Sequence, residues 1–253
     1  MRTGILTVSD FRQKEIAGGG QGAPLAPYAE ALCCAAPGRS RVLLNVGGIA
    51  NFTWLPAEDP QRWVSGDTGP GNTLIDGAVR EAFPERTEGF DPGGMLAAEG
   101  RVHGAALARL KAHPYFARPM PKSTGPEAFG AQFVADALAG LGGAAPNGHD
   151  LIATLTRLTA ETVAEAIQRT VTPLAQSELI VSGGGAHNRT LMGWLEALLP
   201  GMTVLDSAVL GIPADAKEAV LFAVLANETL AGEGFAAPGG SGRISFGKLS
   251  FAD

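Results

Sequence analysis

The sequence predicts an α/β protein built on a mixed sheet with flanking helices. Three observations carry this. Strand and helix patterns alternate cleanly from residue 179 onward. Apolar runs at 41–45 and 52–55 flank the glycine turn Val46-Gly47-Gly48-Ile49-Ala50-Asn51, as a β-hairpin does. The glycine-rich run Gly66-Asp67-Thr68-Gly69-Pro70-Gly71-Asn72 opens onto residues with helical spacing.

Taken in order, residues 5–8 read as a short strand, followed by Asp10-Phe11-Arg12 and a glycine cluster over 18–22. A helix is expected around 27–34, then the hairpin. After the Asp67 turn, a helix over 73–83 carries Leu74, Ile75, Ala78 and Val79 on one face. Residues 93–112 look helical and 114–130 form a Pro-rich connection. A long helix over 151–170 places Leu151, Leu155, Leu158 and Thr162 along one side. Then come strand 179–181, a glycine loop, helix 188–199, strand 203–205 and helix 213–230. Interleaved strands and helices imply packed α/β layers, and the early hairpin makes the sheet mixed rather than purely parallel.

With 253 residues the chain can bury a substantial core, as one large domain or two lobes. Its 19 basic and 25 acidic residues give a net charge of −6, and no basic run offsets it. Nucleic acid is therefore a poor partner. Apolar stretches end well short of membrane-spanning length, and the first ten residues lack a signal-peptide core, so a cytoplasmic protein is expected. Cys33 and Cys34 are adjacent, where a mutual bond would be strained. His103, His113, His149 and His187 show no zinc-ligand spacing, so no protein-built metal site is expected.

Several segments can carry chemistry. Asp67 at a rigid glycine turn before a helix suits a general base; an N-capping aspartate suits the same position. Gly183-Gly184-Gly185-Ala186-His187-Asn188 follows a strand and begins a helix, so a nucleotide could approach its backbone closely. It lacks the P-loop and dinucleotide fingerprints, and a plain strand-to-helix turn fits it equally. The Gly47-Gly48 tip could cradle phosphate through its N–H groups or be only a turn. Lys122-Ser123-Thr124-Gly125 offers a cation and two hydroxyls, though an exposed turn is the favoured reading. Asp215-Ala216-Lys217-Glu218-Ala219 opens the last helix, where Ala216, Ala219, Ala223 and Ala226 form a stripe suited to close packing. Glu218 there could be a dipole-compensating charge. Arg12 is a surface cation or an anion or sugar contact. Together the glycine turns make a nucleotide-dependent sugar kinase the leading reading.

In this order, Ser9-Asp10-Phe11-Arg12, Gly19-Gly20-Gln21-Gly22-Ala23-Pro24-Leu25, Leu44 to Asn51, Asp67 to Asn72, Pro121 to Gly125, Gly183 to Asn188 and Asp215 to Ala219 span nearly the whole chain. The set resembles the anhydro-N-acetylmuramic acid kinases, of the two-lobed hexokinase/actin-like ATPase group. The resemblance implies hydrolysis of the substrate's 1,6-anhydro bridge and phosphorylation of O6 from ATP with Mg2+, in peptidoglycan recycling. It implies Asp67 as the general base, with Arg12, Glu218, Thr68 and Gly69 toward the sugar. It implies Gly47, Gly48 and Asn51 at the phosphates, and Gly183, Gly184, Gly185 and Asn188 on the adenosine side. The partners implied are the sugar and ATP, with a homodimer possible and neither nucleic acid nor membrane.

On the same resemblance, residues 1–40 are expected to be a remnant of the first lobe. Residues 41–253 would form the second lobe, its last helix and tail returning toward the first. A Gly-Thr-Ser-Met-Asp-Gly-type phosphate loop of the family has no counterpart here. A truncated member is therefore expected, inactive as residues 1–253 alone and with the edge of strand 5–8 uncovered. A catalytically inactive nucleotide- or sugar-binding remnant is the alternative.

Overall fold

The computed structural model describes residues 4–19, 22, 25–213, 216–236 and 243–251. Gly20, Gln21, Ala23 and Pro24 of the early glycine segment, Asp215 and the glycine run 239–242 lie outside the described residues. The chain divides into two units, residues 35–215 and residues 1–34 with 216–253.

The larger unit is built on a five-stranded sheet. Its strands are β2 (Arg41–Val46), β3 (Ile49–Leu55), β4 (Val64–Pro70), β5 (Glu178–Ser182) and β6 (Thr203–Asp206), in spatial order β4-β3-β2-β5-β6. β3 pairs antiparallel with both β2 and β4, whereas β5 pairs parallel with β2 and β6. The sheet is therefore mixed, as the hairpin implied. Alternation sends Val42, Leu44, Val46, Phe52, Leu179 and Val181 to one buried face.

The long helix α7 (Gly148–Thr170) joins two cores. Its second half packs Ala160, Val163, Ala164 and Ile167 on that sheet face, together with Leu191 and Leu195 of α8 (Arg189–Leu198). Its first half packs Ile152, Leu155 and Leu158 against α3 (Thr73–Ala82), α4 (Met95–Glu99) and α5 (Gly104–Lys111). A second helix, α6 (Ala131–Leu138), adds Phe133 and Val134 to this cluster.

Three expectations are corrected, and one helix was not foreseen. The glycine run around Asp67 is a strand, not a turn, because pairing with β3 overrides its poor strand propensity. The helix over 93–112 breaks in two at Gly100, where a Cβ would collide with the His149 carbonyl. The Pro-rich connection is followed by the unexpected α6. The last helix, α9 (Lys217–Ala231), begins at Lys217 rather than at Pro213.

In the smaller unit, α1 (Gln13–Ala17) and α2 (Ala26–Cys34) precede α9 in the chain. Leu221 and Leu225 of α9 pack with Leu25, Ala29 and Phe246. The alanine stripe expected to pack is not the buried face, since Ala219 and Ala223 are exposed. The first strand, β1 (Thr7–Ser9), pairs antiparallel with the last, Lys248–Ser250.

One contact sets the position of β4. Gly71 follows β4 so closely under the hairpin that a Cβ there would collide with the Gly47 carbonyl oxygen. Gly71→Ala is expected to destabilise the protein by about 1–3 kcal/mol, read as a lower urea midpoint at unchanged slope. An unchanged midpoint would show that the turn yields freely.

Candidate active site

Asp67 sits within β4, half-buried, and almost all of its polar atoms are held. Its N–H donates to the Lys122 carbonyl at 2.8 Å, and its carbonyl accepts from the Tyr115 hydroxyl at 2.8 Å. Carboxylate Oδ2 accepts from the Thr124 amide at 2.8 Å and the Ser123 hydroxyl at 3.1 Å. Oδ1 enters none of these bonds. The N-cap reading of Asp67 does not survive, because Asn72 occupies the cap position of α3.

The segment that grips Asp67 is itself anchored. Lys122 is 6% exposed, so the exposed turn favoured from sequence is corrected for this residue, whereas Ser123 is exposed. Its Nζ donates to the Tyr115 and Phe116 carbonyls at 3.1 and 3.4 Å and lies 4.5 Å from the centre of the Tyr115 ring. Below this, Phe129 is fully buried among Tyr115, Phe116, Phe133 and His113, with ring centroids 5.1–5.4 Å away. Sequence reasoning missed Tyr115 altogether, since nothing local marks a contact with a residue 48 positions away.

Burial, reinforced by the like charges of Arg169 and Arg118, lowers the Lys122 pKa from 10.5 to about 8. The Tyr115 hydroxyl is pushed upward by burial and by the Asp67 charge. Between pH 8 and 10 the folded chain thus holds fewer protons at Lys122 than the unfolded chain, so this group makes stability rise with pH. Above about pH 10 Tyr115 acts oppositely, because the folded state keeps a proton that the unfolded state loses. Urea unfolding at pH 8 and 9.5 should show the rise, and Lys122→Met should flatten it; equal slopes in the two proteins would refute the assignment.

Register places Asp67 opposite Asn51, Asn51 opposite Asn45, and Asn45 opposite Ser182, a polar row on the sheet face away from α7. Asn51 thus stands beside the carboxylate rather than at the hairpin tip.

Three glycine turns meet at the end of β4. The Asn72 amide donates to the Gly47 carbonyl at 2.7 Å, and the Gly71 amide to that of Gly48 at 2.8 Å. The Asn72 side chain donates to the Val46 carbonyl at 3.1 Å. Gly183, with φ of 77°, lies so near β2 that a Cβ would stand 2.7 Å from Asn45 Oδ1. Gly185 approaches Val46 as closely, whereas a Cβ on Gly184 would meet the Asn72 side chain at an ordinary 3.4 Å. The tip's carbonyls are occupied; the Gly47 and Gly48 amides enter none of these bonds.

Three expected contact residues are committed elsewhere. The Thr68 hydroxyl, 1% exposed, donates to the Ala50 carbonyl at 3.1 Å. Gly69 is buried, with φ of 140°, and a Cβ would meet Phe116 Cε1 at 2.6 Å. Asn188 caps α8, its Oδ1 accepting from the Leu191 amide at 2.9 Å. The Thr68 and Asn188 side chains thus each carry a hydrogen bond of the fold, and Gly69 leaves no room for a side chain.

Arg12 and Glu218 belong to the smaller unit. Arg12 Nη1 donates to the Gly22 carbonyl at 2.6 Å. Glu218 is exposed in the first turn of α9, next to Lys217, which pairs with the buried Glu30 at 2.7 Å.

Fold and site define a mixed-sheet α/β protein with a gripped carboxylate on an edge strand that runs into a junction of glycine turns. The chain belongs to the anhydro-N-acetylmuramic acid kinase family, whose model matches residues 1–249. The curated anhydro-N-acetylmuramic acid kinase of Pseudoalteromonas atlantica is 43% identical over 99% of this chain and 63% of its own length. That of Streptomyces coelicolor is 44% identical over 95% of this chain and 59% of its own. The chain thus spans about three-fifths of the curated relatives it matches. Among solved structures, the activator of 2-hydroxyisocaproyl-CoA dehydratase from Clostridium difficile aligns at a TM-score of 0.48 and 13% identity, over 79% of this chain and 64% of that one. Component A of the Acidaminococcus fermentans (R)-2-hydroxyglutaryl-CoA dehydratase aligns at 0.48 and 16% identity, over 79% and 66%.

Proposed function

We propose that the protein is an ATP-dependent kinase acting on anhydro-N-acetylmuramic acid. It opens the 1,6-anhydro bridge with water and phosphorylates O6, giving N-acetylmuramic acid 6-phosphate in cell-wall recycling. The observation that carries this reading is the family match over nearly the whole chain. The inactive-remnant alternative is not favoured, since the family's base position holds an aspartate whose carboxylate accepts two hydrogen bonds and whose backbone makes two more.

Asp67 acts as the base. It removes a proton from water as the water oxygen bonds to the anomeric carbon; the bridge C–O bond breaks, and its electron pair stays on O6. ATP supplies the phosphoryl group that O6 accepts. The glycine junction suits a phosphate chain, because the Gly47 and Gly48 amides stand outside the turn bonds and a Cβ on Gly47 would find nothing nearer than 3.6 Å. Mg2+ would arrive on the phosphates, whose charge it offsets. Arg12 and Glu218 would face the sugar.

This reading puts the protein in the cytoplasm, beside its ATP; among the described residues no helix is long and apolar enough to cross a membrane. The test is incubation of the complete gene product with ATP, Mg2+ and the anhydro sugar, following ADP and sugar phosphate. A folded sample that releases no ADP in response to sugar would sink the proposal.

A further inference from the structure

We propose that Lys122 and Tyr115 are positioning residues that close a ring around Asp67 and leave Oδ1 as the oxygen that takes the proton. The inference rests on the reading of Asp67 as the base.

The ring runs through three residues. The Asp67 amide donates to the Lys122 carbonyl, the Lys122 ammonium donates to the Tyr115 carbonyl, and the Tyr115 hydroxyl donates back to the Asp67 carbonyl, at 2.8, 3.1 and 2.8 Å. One and two residues beyond Lys122, the Ser123 hydroxyl and the Thr124 amide fix Oδ2. A carboxylate so bound cannot rotate about its last bond without losing both donors. Among the described residues, Oδ1 has no hydrogen-bond partner.

Lys122 has no other visible task. It is buried, the charges that reach it are Arg169 and Arg118, and both of its hydrogen bonds go to backbone carbonyls. A buried cation with no carboxylate partner among the described residues is costly; the two carbonyls and the Tyr115 ring face, 4.5 Å from Nζ, offset that cost and tie the cation to the segment it holds. What it holds is the chain segment that also grips Asp67, directly against β4. A Cβ on Gly66 would stand 2.8 Å from the Lys122 carbonyl and 2.7 Å from Met120 Sδ. Misplacing a catalytic group by about 1 Å can cost on the order of a hundredfold in rate.

Three variants of the complete gene product test the ring: Lys122→Met, Tyr115→Phe and the double substitution. Each is assayed for sugar-dependent ADP release and for amide hydrogen exchange at Asp67 and Thr124. We expect kcat to fall by roughly tenfold to a hundredfold in each single variant, with KM within about twofold. The double variant should be no slower than the worse single one, because both act through one ring. Exchange at both amides should accelerate ahead of the rest of the sheet.

Independent, multiplying losses of kcat, or wild-type exchange with near-normal kcat, would overturn the proposal. If Lys122→Met does not fold, Tyr115→Phe decides alone, since it removes one hydroxyl and little shape. If the unsubstituted protein shows no sugar-dependent turnover, the proposed activity fails, while the exchange measurements still decide whether the ring exists.

Discussion

Asp67→Asn is expected to lower turnover by at least about a hundredfold, and up to ten-thousandfold, with sugar affinity little changed. The surroundings say which way the amide would sit. The Thr124 N–H needs an acceptor, so the carboxamide oxygen takes the Oδ2 place and the NH2 group takes that of Oδ1. A proton acceptor then becomes a donor at the point where water must be deprotonated, while size and backbone bonds are kept. Measuring kcat beside calorimetric sugar affinity checks this. Near-normal turnover would reduce Asp67 to a strand residue whose hydrogen bonds are only structural.

Phe129→Ala should produce the largest loss of stability. The side chain is fully buried and touches four other rings, two of which belong to Tyr115 and Phe116. Truncations of this kind cost about 3–5 kcal/mol. For a unit of this size that lowers the melting temperature by roughly 6–20 °C. Because those two residues supply the carbonyls that hold Lys122, activity should fall at temperatures where the protein is still folded. A melting temperature within about 2 °C of the parent would show that the cluster refills the cavity.

Where periodicity was strong, the sequence was legible. Leu155, Leu158 and Thr162 of the long helix are buried as their spacing demanded, and so are Leu74, Ile75, Ala78 and Val79. The hairpin and the strand–helix alternation were equally clear, and with them the mixed sheet. The segment around Asp67 was not. Ser-Gly-Asp-Thr-Gly-Pro-Gly has the composition of a turn, and it becomes a strand only because β3 lies on one side and the Lys122 segment on the other. Lys122 reads as a surface residue because lysines usually are. Its burial depends on an aromatic cluster assembled from residues 113–133.

By itself, then, the sequence determined the α/β class, the family to which its ordered segments belong, and Asp67 as the carboxylate to watch. These follow from local pattern and from residue order, which need no folded contact to be read. The tertiary structure alone decided that Asp67 is a gripped strand residue, that the Thr68 hydroxyl bonds the Ala50 carbonyl and that Gly69 lies against Phe116; Asn188 caps α8. It alone brought the hairpin, the turn after β4 and the Gly183 loop to one junction. Apart from the Asn188 cap, a local bond to Leu191, those outcomes rest on hydrogen bonds and close approaches between residues 18 to more than 100 positions apart, which no local preference encodes.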